Sequence, residues 1–229
     1  MEFIPILLKI PLYLAYNPVF LQMKKSCLLL FSLLFFGALP AQVSLDNASF
    51  EGEAQDATVP IGWHACEPGS TPDILPGSWG VYNEPIDGET YMGLITRQDG
   101  TWESVGQRLS APIEPRECYI FSAHLAHSKT YANYNKPIKL KVWGGATSCG
   151  KDVLLAETEY IKHADWKKYE FRFISDQSLN YLILEAHYMD GIYFHYNGNV
   201  LIDNCSEIRA CRRADLVVPL KAWDEINKS

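Results

Sequence analysis

Apolar and polar residues alternate with a period of two over much of this chain. The segments 118–126 (Cys-Tyr-Ile-Phe-Ser-Ala-His-Leu-Ala), 138–143 (Ile-Lys-Leu-Lys-Val-Trp), 169–174 (Tyr-Glu-Phe-Arg-Phe-Ile) and 181–188 (Tyr-Leu-Ile-Leu-Glu-Ala-His-Tyr) alternate or form β-rich runs, bounded by Gly, Pro, Asn and Asp. That period puts successive side chains on opposite faces of an extended backbone, so these segments are predicted as strands. Further strands are predicted at 48–51, 61–64, 91–95, 103–109, 153–158 and 199–208. Within the domain no stretch keeps a helical period beyond about three turns. The pattern therefore predicts an all-β fold, an antiparallel β-sandwich of about eight to ten strands. The runs 67–72 and 75–78 are too rich in Pro and Gly for a strand or a helix. They are predicted as loops at the rim, where functional contacts concentrate.

A different pattern opens the chain. Lys24 and Lys25 precede an apolar run from Cys27 to Phe36 and then Gly37-Ala38-Leu39-Pro40-Ala41. This order of charged region, short apolar region and small-residue cleavage site predicts a signal peptide over 23–41 and a mature start at Gln42. Met23 stands directly before the lysines, and Pro5, Pro11 and Pro18 interrupt the earlier apolar stretch. Residues 1–22 are therefore read as lying upstream of the true start; an uncleaved membrane anchor is the alternative. The expected organisation is a leader over 1–41, a binding domain over 42–211 and a tail or linker over 212–229, with no membrane span in the mature chain.

Composition sharpens this picture. The 229 residues are 48% hydrophobic and 21% charged, with a formal net charge of −7. Losing residues 1–41 removes Lys9, Lys24, Lys25 and Glu2, which leaves 17 basic and 26 acidic side chains, net −9. A nucleic-acid partner needs a basic stripe to meet backbone phosphates, and none is present. The mature cysteines are Cys66, Cys118, Cys149, Cys205 and Cys211, an odd number that allows at most two internal bridges and matches no zinc spacing. Disulfides are expected, with the connectivity open, in a secreted or cell-surface protein.

Four ordered pieces carry a family resemblance: Val43-Ser44-Leu45-Asp46-Asn47-Ala48-Ser49-Phe50-Glu51-Gly52; Val105-Gly106-Gln107-Arg108-Leu109 followed by Cys118-Tyr119-Ile120-Phe121-Ser122; Trp166-Lys167-Lys168-Tyr169-Glu170-Phe171; and Leu201-Ile202-Asp203-Asn204. Together they resemble the galactose-binding-domain-like jelly roll of carbohydrate-binding modules in the families 4, 9, 16 and 22 group, over about residues 43–210. The resemblance implies a jelly-roll sandwich in an exported protein, of the kind found in surface proteins of gliding bacteria. It also implies a structural Ca²⁺ site with Glu51 and Asp203 as side-chain ligands. Pairing of the first and last strands would bring 47–51 beside Asp203 and Asn204, and a hard cation takes such an oxygen shell. The alternative is that Glu51 caps a turn while Asp203 and Asn204 bond a local loop.

Aromatic residues are the remaining signal. Sugar rings stack their C–H faces on aromatic planes while polar neighbours meet the hydroxyls. Tyr119, Phe121, Tyr169, Phe171, Phe173 and Trp166 are expected to pack in the core. Trp79, Trp102, Tyr131 and Tyr134 lie in loop-like polar surroundings and are expected to form an exposed ligand platform, with Arg97 and Asp99 hydrogen-bonding beside them. Trp143, Tyr193 and Tyr196 rank below these. Catalytic patterns fail: Gly145-Ala146-Thr147-Ser148-Cys149-Gly150 lacks the glycine pattern and following helix of a nucleophile elbow, and no Glu-x-Asp-x-Glu run provides paired carboxylates. The expected function is non-catalytic binding of a carbohydrate or surface polymer. A structural or adhesive domain binding protein partners comes second, and a glycan hydrolase third.

Overall fold

The computed structural model describes residues 42–212. The signal peptide expected at 23–41, the residues expected upstream of the start, and the tail from 213 onward lie outside the described residues.

Two sheets form a sandwich. The first has the order β1 (His64–Ala65), β4 (Ser104–Ile113), β10 (Leu179–His187), β7 (Lys139–Gly145), β8 (Val153–Glu157). The second has the order β12 (Arg209–Ala210), β5 (Cys118–Ala126), β11 (Gly198–Asp203), β3 (Tyr91–Thr96), β2 (Asp73–Leu75), with β9 (Lys167–Ile174) paired to β5 and β6 (Lys136–Pro137) paired to β11. Pairing is antiparallel throughout except for the short parallel β6–β11 contact. The antiparallel β-sandwich expected from the period-two pattern is thus observed. Its strand total exceeds ten because β2, β6 and β12 are two- or three-residue additions.

Alternation decides the core. Met92 and Leu94 of β3, Phe121 and Leu125 of β5, and Val200 and Ile202 of β11 meet Val105 of β4, Leu140 and Val142 of β7, and Leu182 and Leu184 of β10 in one buried cluster. Each such side chain contributes roughly 1.5–3 kcal/mol relative to exposure. The opposite face of the second sheet is also covered. Leu75, Val81, Tyr91, Ile95, Ala126, Tyr131 and Leu201 form a second buried cluster there, with Tyr134 and Trp166 packed against it. Accordingly every residue of β3 and of β11 is buried. By contrast Lys141, Trp143, Tyr181 and His187 keep partly exposed positions on the outer face of the first sheet, as alternate residues of β9 do on the second.

Two predicted strands are corrected. Residues 48–51 form a turn, because the Asn47 side chain accepts a bond from Glu51 N (2.7 Å) and donates to Glu51 O (2.9 Å), with Asn47 and Phe50 at φ 48° and 58°. Asparagine tolerates the left-handed region and mimics a turn with its own amide, which outweighs the β-prone composition. Of 61–64 only His64 joins a strand. Conversely β2 lies between two proline-rich loops, at a sheet edge where few ladder bonds are required.

Two disulfides are present, Cys66–Cys149 and Cys118–Cys211, and Cys205 is a buried free thiol. The first ties the segment after β1 to the β7–β8 turn; the second ties the start of β5 to the residue beyond β12. Among the described residues no helix is long and apolar enough to cross a membrane.

Candidate functional site

The outer face of the first sheet is built from the positions that alternate with its core. On β7 these are Lys139, Lys141 and Trp143; on β10 they are Tyr181, Ile183, Glu185 and His187. Register pairs Ile183 with Trp143, Glu185 with Lys141 and His187 with Lys139. On the other side Tyr181 faces Arg108, and Ile183 faces Gly106, which in turn faces His64 of β1. Gly106 is needed at the centre: a Cβ there would lie 2.7 Å from Cys66 Sγ and 3.1 Å from His64 Nε2, since both cross over it.

Aromatic rings and charged groups interleave across this face. Trp143 is half-buried, with Lys141 Nζ 6.0 Å from its ring centroid. His64 meets Tyr181 edge-on at 6.3 Å, and Ser148 Oγ lies 2.9 Å from His64 Nε2. Burial lowers the His64 pKa. Lys151, from the β7–β8 turn, reaches both Glu185 and Glu67. Burial pulls its pKa down, but the two carboxylates outweigh that and hold it above the ordinary value. At the far end Trp102 packs against His187 (5.7 Å) and Tyr188 (6.2 Å) and lines a cleft of about 230 Å³ with Glu67, Pro68, Gly100 and Thr101.

The residues expected to make one platform fall into two groups. Trp102 lies at the end of the open face. Arg97 and Asp99 share its loop but have local tasks. Arg97 pairs with buried Glu103, and Asp99 accepts from Thr101 N (3.0 Å) and Thr101 Oγ1 (2.8 Å), which lowers its pKa. Trp79, Tyr131 and Tyr134 lie instead on loops over the second sheet, joined by bonds from Ala132 N to Trp79 O (2.8 Å) and from Thr130 Oγ1 to Gly80 O (2.6 Å). Tyr131 is 1% exposed and donates its hydroxyl to the Asp73 carboxylate, so it offers no plane to a ligand. Tyr134 packs edge-on against it at 6.0 Å, and Trp79 keeps 44% exposure. These loops cover a hydrophobic cluster, and a tyrosine that serves as such a lid turns its ring inward.

The expected cation residues converge on one loop. Backbone bonds between Val43 and Ile208 and from Cys205 N to Ala48 O (2.9 Å) draw the two chain segments together. Glu51 Oε2 accepts from Glu89 N at 3.0 Å, while Glu51 Oε1 is buried with no hydrogen-bond partner. Asp203, fully buried, accepts from Ile86 N (2.8 Å) and Asp87 N (3.2 Å) at Oδ2 and from Asn204 N (2.6 Å) at Oδ1. Burial pushes its pKa up to about 6 despite these donors. A hard cation here would be held by Glu51 Oε1, which lacks a hydrogen-bond partner, and by Asp203 Oδ1, which keeps acceptor capacity.

No protein-family model and no curated protein sequence matches the chain. Solved structures do share its fold. The chain is similar to part of the arabinose-bound α-L-arabinofuranosidase MgGH51, at 13% identity and TM-score 0.51, over 76% of this chain and 27% of that one. It is also similar to the CBM22-1 xylan-binding domain of Paenibacillus barcinonensis Xyn10C, at 16% identity and TM-score 0.48, over 75% and 95% of the two chains. The K3 cleaved adhesin domain of Lys-gingipain from Porphyromonas gingivalis W83 follows, at 13% identity and TM-score 0.47, over 74% and 99%. At such identities the likeness concerns the β-sandwich alone.

Sequence reasoning ranked Trp143 low and missed His64, Lys141, Tyr181 and Glu185 as a set. A signal existed in the strand period itself: the outward register of β7 reads Lys-Lys-Trp and that of β10 reads Tyr-Ile-Glu-His. Their assembly depends on β10 pairing with both β4 and β7, which local pattern does not encode.

Proposed function

We propose that this protein is an exported, non-catalytic module that binds a carbohydrate on the outer face of its first sheet. The observation that carries this reading is the interleaving of the half-buried rings Trp143, Tyr181 and Trp102 with Lys141 and His187 on the outer face of the first sheet. Rings accept the C–H faces of a sugar and the ionisable neighbours meet its hydroxyls. The similarity to sandwich modules, one of them a xylan-binding domain, is compatible with that class of ligand. Two disulfides favour an oxidising, extracellular setting. Ser148 and His64 form a hydrogen-bonded pair, but Ser148 sits in a strand-to-strand turn, outside the strand-to-helix setting of a nucleophile elbow. A structural Ca²⁺ held by Glu51 and Asp203 would pin the 86–90 loop without touching the glycan face.

A glycan array with the purified protein identifies the ligand class. Trp143→Ala should then lower affinity for the selected glycan by about 1–3 kcal/mol, by analogy with aromatic stacking on other flat ligands, while the protein stays folded. Unchanged affinity in the folded variant removes the face from consideration.

A further inference from the structure

The loop between β10 and β11 carries a feature that the sheet face does not explain. Tyr193 is 96% exposed and Phe194 is 87% exposed, adjacent in sequence and contributing nothing to either core. Neighbouring large aromatics held in water on a small exported domain call for a partner.

The loop that displays them is firmly seated. The Tyr188 hydroxyl lies 2.5 Å from Arg97 O and 2.8 Å from Thr101 O. The His195 ring packs on Tyr188 at 4.8 Å and against Gly100, where a Cβ would stand 2.9 Å from His195 Nδ1. Met189 N donates to Tyr196 Oη (3.1 Å), which in turn reaches Pro137 O (3.1 Å), and Gln98 N donates to Asn197 Oδ1 (2.7 Å). Both ends of the loop are thus fixed to the 97–102 segment that carries Trp102. Rings run continuously from Trp102 to Tyr188 (6.2 Å) and on to His195, whose chain neighbour is Phe194.

We propose that Tyr193 and Phe194 form an outer subsite that stacks on a sugar residue of a glycan chain running beyond the Trp102 end of the face. The inference rests on the carbohydrate reading above and adds to it a class of ligand: an extended oligo- or polysaccharide, bound more tightly as it lengthens. A stacking tip set on a fixed loop loses little conformational entropy on binding, which favours its use as a subsite.

The test is isothermal titration with cello-, xylo- and manno-oligosaccharides of two to six residues, chosen by the array, against the wild type, Trp143→Ala and the double variant Tyr193→Ala/Phe194→Ala. Wild-type affinity should rise about tenfold once the chain is long enough to reach the tip. The double variant should lose that rise, keep its affinity for the short members, and melt at the wild-type temperature, since neither side chain is buried. A double variant that keeps the full rise overturns the subsite. Equal losses for short and long members also overturn it, by placing the pair in the main site. If the wild type binds no member of the ladders, or Trp143→Ala leaves binding intact while the double variant abolishes it, the reading of the face falls instead.

Discussion

Tyr131 and Trp143 are both aromatic, and their surroundings give them opposite work. The Tyr131 hydroxyl satisfies Asp73, whose carboxylate is only 5% exposed and whose pKa burial raises. Tyr131→Phe leaves that carboxylate one donor short, and the expected cost is about 1–3 kcal/mol of stability with no change in glycan affinity. Urea unfolding and glycan titration of the same variant check both halves; lost affinity at full stability would return Tyr131 to a ligand platform. Glu103 lies nearby with its side chain 1% exposed. Burial pushes its pKa up, and the adjacent Arg97 only partly offsets this. The folded state therefore holds the proton more tightly than the unfolded chain. The resulting stability is full below the unfolded carboxylate value near ~4.3 and is lost as pH rises through the folded value. Melting temperatures from acidic to neutral pH should show that decline in the wild type and less of it in Glu103→Gln. An identical slope in the two proteins would show that Glu103 titrates normally.

At the scale of elements, the 86–90 loop shows how carboxylates shape backbone. Glu51 and Asp203 accept its amides at Ile86, Asp87 and Glu89, and Gly88 between them takes φ 64°. A Cβ at Gly88 would stand 2.0 Å from Glu51 Oε1. Gly88→Ala meets both left-handed strain, about 1–2 kcal/mol, and that collision. A lowered thermal midpoint is expected; a neutral Gly88→Ala would mean that Glu51 does not occupy the space beneath the loop. Strands proved legible where alternation ran for six or more residues, as in β5 and β7, because burial of one face imposes a period of two. The 48–51 segment forms a turn despite its β-prone residues, because the two side-chain bonds of Asn47 overrule them.

For the whole molecule, the first and last of the described segments meet through Val43 and Ile208, and Glu51 and Asp203 both hold the 86–90 loop. A cation that binds only this folded juxtaposition stabilises the protein by mass action, ~2.7 kcal/mol at a hundredfold excess over its dissociation constant. Adding EDTA should therefore lower the melting temperature of the wild type, and Ca²⁺ should restore it. Glu51→Ala or Asp203→Ala should be insensitive to both. A wild-type curve unmoved by EDTA would leave the two carboxylates as loop anchors alone.

By itself the sequence determined the class of fold, because a period of two is a local consequence of which face is buried. It also put Trp102 forward as a ligand candidate and, through the family resemblance, Glu51 and Asp203 as cation candidates. Only the tertiary structure decided which parts of each outer sheet face stay exposed. Loop lengths and composition do not say that the 76–90 and 127–135 segments cover the second sheet, which turns Tyr131 inward and removes it from any platform. The pairing of β10 with β4 and β7 likewise gathers Tyr181, Glu185, Lys141 and Trp143 from segments about forty residues apart. Such assemblies arise from long-range strand pairing, whose energy is shared among many contacts and leaves no mark in any single stretch of chain.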